Sequence, residues 1–256
     1  MQQYQLKQFD PQKANSEGTW LIIGPRNTGK SVLLLDLLYR MRKNFDFGFA
    51  VVGSVGAYKN IRKVLPQHFV YNGYDEQAIE NYSNALKAVN AQEKRRRGLL
   101  IEDDLFSQPA YLKTPTQNDI YLNGRHTCRA KITLCQYLMF LPPHVRNNVE
   151  YVIALREPIV KNRAKLYEYF FGSFPSQKEF NRVFDQCTRD YKCLVLDKTQ
   201  TSGKLEDSIM WYKADPNVPK FSFGRQIYFR LSWKIFEENE RKRATQRQTN
   251  LKTITV

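Results

Sequence analysis

Cysteine is scarce in this chain, with Cys128, Cys135, Cys187 and Cys193 its only four. They form no Cys-x-x-Cys pair and no Cys/His cluster, which excludes the usual zinc spacings and a secreted disulfide framework. A reducing compartment is expected. Long apolar runs are missing as well: the first ten residues are polar, and the Leu-rich stretch after Ser31 is broken by Asp36 and Arg40. No secretory leader and no membrane-spanning segment is expected. Acids are in deficit, since 25 Asp and Glu face 40 Lys and Arg and leave a net charge of +15. That balance favours a polyanionic partner such as nucleic acid, without specifying its sequence or strand form. No internal repeat is visible, and the Asn-Lys-x-Asp motif that reads guanine is absent. The 256 residues suffice for one large α/β domain with appendages and a core that needs neither disulfide nor metal.

What is present begins with Gly24-Pro25-Arg26-Asn27-Thr28-Gly29-Lys30-Ser31, which follows the apolar run Trp20 to Ile23 and precedes Val32 to Leu35. The order is strand, glycine loop, helix. A loop of this composition turns its backbone N–H groups around a phosphate chain, the lysine reaches the β/γ-phosphates, and the serine hydroxyl holds Mg²⁺. Residues 24–31 are therefore the expected nucleoside triphosphate site, with ATP and Mg²⁺ as cofactors.

The rest of the chain reads as alternating strands and helices. Phe47 to Val52, His68 to Tyr71, Gly98 to Ile101, Ala130 to Cys135, Val149 to Leu155 and Tyr191 to Leu196 are short apolar runs that suit buried strands. Between them, Asp75 caps a helix running towards Lys94, Pro158 opens one reaching Phe171, and Ser176 caps one reaching Cys187. The pattern predicts an α/β fold of P-loop NTPase type, a mostly parallel sheet with helices on both faces. A polar N-terminal arm over 1–18, an ATPase core over 19–197 and a C-terminal extension over 198–256 are the expected divisions. From Trp233 the extension reads as a helix fading into a basic tail with Arg241, Lys242, Arg243 and Arg247. That tail and the run Lys94 to Arg97 are either DNA contacts or solvated charge.

Hydrolysis needs a carboxylate for the metal and a group to activate water. Leu99-Leu100-Ile101-Glu102-Asp103-Asp104 ends a buried strand in three acids, at the sheet edge where α/β proteins bind ligands. Asp103 is the expected metal ligand with Ser31, and Asp104 the expected base. A register one residue earlier gives the same roles to Glu102 and Asp103. Gln136, directly after the next strand, is placed to contact the γ-phosphate and its attacking water.

Together these segments resemble the genome-packaging ATPases of large nucleocytoplasmic DNA viruses and their virophage and Polinton relatives, within the FtsK/HerA group of P-loop motors. The likeness covers roughly 19–197. It rests on residues 24–31, Asp103-Asp104, Gly124-Arg125-His126, Gln136, Leu141 to Asn148 and the Tyr-Phe-Phe-Gly run near Phe171. It implies an additional strand between the P-loop strand and the acidic strand. It also implies a ring homo-oligomer, pentamer or hexamer, that moves double-stranded DNA into a capsid, with capsid or portal-vertex proteins as partners. The setting it implies is the host cytoplasm, at a virus factory, or the virion. Ring motors supply an arginine from one subunit to the γ-phosphate of the next. Arg125, expected in a loop after a helix stopped by Gly124, and Arg146, expected in a Pro-bounded loop, are the candidates; His126 reads as a structural hydrogen-bonding group. A P-loop kinase of a small acceptor, a helicase and a non-enzymatic DNA-binding protein remain the alternatives.

Overall fold

A computed structural model describes residues 4–92, 95–105, 109–127 and 129–252. Lys94, Ser107 and Cys128, and the side chains of Arg125, Lys242, Arg243 and Arg247, lie outside the described part. Nine strands form one sheet: β1 (Lys7–Gln8), β2 (Thr19–Ile23), β3 (Phe47–Val52), β4 (Val70–Asn72), β5 (Gly98–Asp103), β6 (Arg129–Cys135), β7 (Tyr151–Ala154), β8 (Lys192–Asp197) and β9 (Ile209–Lys213). Their spatial order is β1-β9-β8-β7-β2-β6-β5-β3-β4. The pairings from β7 through β4 are all parallel, whereas β8 runs antiparallel to both its neighbours. The expected mostly parallel sheet is present, and β6 is the strand inserted between β2 and the acidic β5.

Helices cover both faces, as the continuous apolar strands require. Alternate residues of each strand feed two separate cores. Leu21, Val51, Leu100 and Val152 point to one, with α3 (Glu76–Ala91), α4 (Pro115–Asn123), α5 (Pro143–Asn148), α6 (Val160–Tyr169) and α7 (Gln177–Cys187). Trp20, Ile22, Ala50, Ile101 and Ile132 point to the other, with α1 (Lys30–Met41) and α2 (Val55–Ile61). The caps read from sequence are made: Asp75 accepts from the Ala78 amide and Ser176 from the Glu179 amide.

Residues outside 19–197 enter the same sheet. β1 pairs with β9, and the buried Phe9 packs its ring edge-on against Trp20 and Tyr212, at centroid distances of 5.8 and 6.2 Å. An apolar ring of this size hidden from water contributes about 2 kcal/mol, enough to hold a polar arm in place. Beyond α8 (Leu205–Ser208) and β9, the last helix, α9 (Gln226–Lys252), begins seven residues before the expected Trp233. Arg95 and Arg96 of the charge run pair with Glu17 and Asp46. No described helix is long and apolar enough to cross a membrane.

Candidate active site

The glycine loop is anchored at its root. Ile23 pairs with Cys135 of β6 and Ala154 of β7, and the Gly24 amide donates to the Cys135 carbonyl at 3.1 Å. Within the loop, Thr28 Oγ1 donates to the Pro25 carbonyl at 2.8 Å. Asn27 and Gly29 both take the left-handed backbone, with φ of 61° and 96°. Glycine adopts that conformation without steric cost, and Gly29 thereby swings the chain into α1 as its N-cap. No side chain caps α1, so its first-turn N–H groups are the donors that an anion would take up.

Lys30 Nζ donates to the carbonyls of Gly24 and Pro25 at 2.6 and 2.7 Å, lying inside the curl of its own loop. Burial lowers its pKa, while the carboxylates of Asp103 and Asp104 oppose that shift. The acids show the converse effect. Burial, reinforced by Asp104 and offset by Lys30, raises the Asp103 carboxyl to about 6. Mutual electrostatic influence of this kind places the three groups around one space.

Strand alternation decides which acid of β5 reaches that space. Leu99 and Ile101 face the α1 side, so Asp103 does too, and it is only 6 % exposed. Asp104, just past the strand, adopts φ 58°, a conformation that Asp tolerates better than most residues. Gly53 makes its position accessible. The Gly53 amide donates to the Asp103 carbonyl at 2.8 Å, and a Cβ on Gly53 would lie 2.0 Å from the Asp104 carbonyl oxygen. Gln136 Nε2 donates to Asp104 Oδ1 at 2.7 Å and its Oε1 accepts from Arg26 Nε at 3.3 Å, so the amide links the loop to the acid.

One cleft of about 570 Å³ gathers Arg26, Asn27, Gly29, Lys30, Ser31, Asp103, Asp104 and Gln136. The Ser31 hydroxyl and the Asp103 carboxylate are hard oxygen donors, the type that suits Mg²⁺. Among the described residues no group of three or more His, Cys, Asp and Glu forms a metal cluster. A cation here would therefore complete its shell with substrate phosphates and water.

Glu102 is not in this cleft, which corrects the earlier-register alternative. It faces the opposite core, 1 % exposed, where Lys131 Nζ lies 2.9 Å from Oε2 and Gln117 Nε2 donates to Oε1 at 2.6 Å. The physical reason is the period of two: if Asp103 faces the loop, its neighbour cannot.

The two arginine candidates also lie elsewhere. Arg146 sits in the short helix α5 rather than a loop, because Pro143 at the first turn fixes a helical φ. Its guanidinium lies 3.8 Å from the Tyr169 ring centroid. Lys198 Nζ donates to the Arg146 carbonyl, and Thr19 Oγ1 donates to the carbonyl of Asn148 at 2.6 Å. Arg146 is therefore at the start of β2, and the loop is at its end, about 13 Å away at roughly 3.3 Å per residue. Gly124 does not stop the chain but keeps helical angles and starts a 3₁₀ turn, Gly124–Thr127, that carries Arg125 and the exposed His126 just before β6. That position is on the same far edge.

Three cleft residues went unread in the sequence: Ser54, Asn60 and Tyr191. Ser54 caps α2, a helix too short for its periodicity to stand out, by accepting from the Ala57 amide. Tyr191 lies next to a strand start and carries no motif.

The Poxvirus A32 protein family profile matches residues 7–162, more than half of the chain. A protein of Acanthamoeba polyphaga mimivirus is 28 % identical over 235 residues, covering 88 % of this chain and 82 % of the relative. A protein of Invertebrate iridescent virus 3 is 28 % identical over 84 % of this chain and 83 % of its own length. Among solved structures, the genome packaging NTPase B204 of Sulfolobus turreted icosahedral virus 2, in complex with AMPPCP, superposes with a TM-score of 0.57 at 16 % identity. The match covers 78 % of this chain and all of that one. The pCW3 conjugation coupling protein TcpA, with ATPγS, gives 0.52 at 14 % identity over 87 % of this chain and 65 % of that one. The chain belongs to the Poxvirus A32 protein family and has the fold of the P-loop ATPases.

Proposed function

We propose that this ATPase drives double-stranded DNA into a viral capsid, hydrolysing ATP at the subunit interfaces of a ring. The observation that carries the reading is the single cleft in which the loop lysine, two aspartates and Gln136 meet. Family membership and the fold shared with a genome packaging NTPase support the packaging role. The net charge of +15 supports a polyanionic track.

In this reading the loop amides and the first turn of α1 bind the phosphates, and Lys30 exchanges its two carbonyl partners for phosphate oxygens. Ser31 and Asp103 hold Mg²⁺, which neutralises charge on the β- and γ-phosphates. Asp104 accepts the proton of the attacking water. Gln136, already bonded to Asp104, orients that water and registers the loss of the γ-phosphate through Arg26. Arg125 and Arg146, at the opposite sheet edge, serve a neighbouring subunit's site rather than their own. The setting is the host cytoplasm or the virion, where capsid or portal-vertex proteins receive the ring.

Phosphate release by the purified protein, measured with and without duplex DNA and with EDTA, tests the reading. DNA should raise turnover, EDTA should abolish it, and Lys30→Ala and Asp104→Asn should each remove it. Phosphorylation of a small acceptor with no DNA effect would overturn the motor in favour of a kinase. Mixing Lys30→Ala subunits with Arg125→Ala or Arg146→Ala subunits identifies the finger, because an arginine acting in trans lowers turnover of an intact neighbouring loop.

A further inference from the structure

We propose that Tyr191 is the platform on which the base of the nucleotide stacks, an assignment that rests on the ATP reading of the cleft. Three observations carry it: where the residue lies, how it is presented, and what its backbone gives up to be there.

Register fixes the place. Ile23 is level with Ala154, and Ala154 with Leu194, so the antiparallel β8 begins at the sheet edge where β2 delivers the loop. Tyr191, three residues before Leu194, stands just beyond that edge. A Cβ on Gly29 would be 3.6 Å from Tyr191 Cδ1, which puts the ring against the loop where α1 starts. In the order β8-β7-β2-β6-β5, the loop separates the acids of β5 from Tyr191. A triphosphate whose last phosphate meets Asp103, Asp104 and Gln136 therefore points its nucleoside end across the loop towards Tyr191. A second hollow, lined by Val32, Val64, Pro219 and Phe221, adjoins the cleft but opens beside Asn60 and Lys63 near α2, on the acids' side of the loop.

Presentation is equally one-sided. Tyr191 is 75 % exposed, an aromatic face turned to water in an otherwise polar cleft. It occupies a tight turn closed by the Lys192 amide on the Arg189 carbonyl at 3.0 Å, with φ of 54° at Asp190 and 59° at Tyr191. Two consecutive positive φ values form the pattern that Asn and Gly ordinarily fill. A bulky aromatic there is a backbone outlier, and such outliers concentrate at ligand sites. An exposed ring that neither fills a core nor relieves its backbone is accounted for by a flat ligand laid on it.

Stacking on one aromatic face is tolerant of base identity, because every base presents a π-face. The proposal therefore includes weak discrimination: ADP and GDP should bind within about threefold of each other.

The test is calorimetric titration of the full chain with ADP, GDP and inorganic tripolyphosphate. Tyr191→Gly is the informative variant, since glycine takes the left-handed turn freely and should keep or raise the melting temperature. It should weaken ADP and GDP about tenfold and leave tripolyphosphate unchanged. Tyr191→Phe should bind ADP like the parent, and Tyr191→Trp should show indole fluorescence quenched by ADP but not by tripolyphosphate. Unchanged ADP affinity in Tyr191→Gly, or an equal loss for ADP and tripolyphosphate, would overturn the platform while leaving the phosphate site intact. Failure of the parent protein to bind either ligand would instead remove the ATP reading, and the platform with it.

Discussion

Glu102 and Asp103 are adjacent in β5, are 1 % and 6 % exposed, and sit on opposite faces of the sheet. Glu102 is surrounded by compensation: Lys131 beside it, the Gln117 amide donating to it, and Thr133 and Tyr121 completing a hydrogen-bonded group whose lysine also lies 4.1 Å from the Tyr121 ring centroid. Asp103 is surrounded by the opposite, with burial and a second carboxylate both working against its charge. One acid is held by its environment and the other is held against it. A buried ion pair with satisfied hydrogen bonds specifies structure, whereas a buried carboxylate with a raised pKa is poised to accept a cation or a proton. The two faces of one strand thus divide stability from chemistry.

The sharpest way to break this division is to remove charge from the cleft. Lys30→Ala should cost about a thousandfold in ATP turnover, and Asp104→Asn about a hundredfold or more, with unfolding midpoints close to the parent in urea. A large loss of stability in either would show that the cleft also holds the fold. On the other face, Lys131→Met should destabilise by about 3–5 kcal/mol in urea denaturation, because it leaves Glu102 buried without its cation. The double variant with Glu102→Leu should recover most of that loss.

Asp103→Asn tests both sides of the comparison together. The carboxyl of Asp103 is raised from 3.8 to about 6 by folding, so its ionisation opposes the folded state as pH rises through that window. The asparagine variant should therefore be more stable than the parent at pH 7 to 8 by about 2–3 kcal/mol, with the gain vanishing below about pH 4. Turnover should nonetheless collapse. In the parent, turnover should decline as pH falls through about 6, since a proton then competes with the metal. The smallest effect is expected from Gln136→Ala. Loss of its bond to Asp104 should lower turnover about tenfold while nucleotide binding, followed by titration, stays near that of the parent.

Much of this division was legible before any coordinates. The loop from Gly24 to Ser31, the acidic strand end and Gln136 are local patterns with fixed spacing, and the same strand alternation that buries Leu99 and Ile101 carries Asp103 to them. The register of the acids was not legible, because three carboxylates in a row match either phase. Lys131, 29 positions away, settles it by claiming Glu102. Helices α2 and α5 were missed because seven and six residues are too few to display a helical period, and α5 carried Arg146 out of its expected loop. The N-terminal arm looked polar on average, yet one phenylalanine suffices to dock it. Tyr191 was invisible as a site residue because its position depends on an antiparallel strand returning to the loop edge, a relation with no local signature.

Gly53 lies on a strand that supplies no acid, yet its hydrogen atom occupies the only room left beside the Asp104 backbone. Selection for hydrolysis therefore reaches beyond the residues that meet the nucleotide. An inert protein with every motif letter intact could arise from a single methyl group added at residue 53, and a screen confined to the motif would pass it as functional.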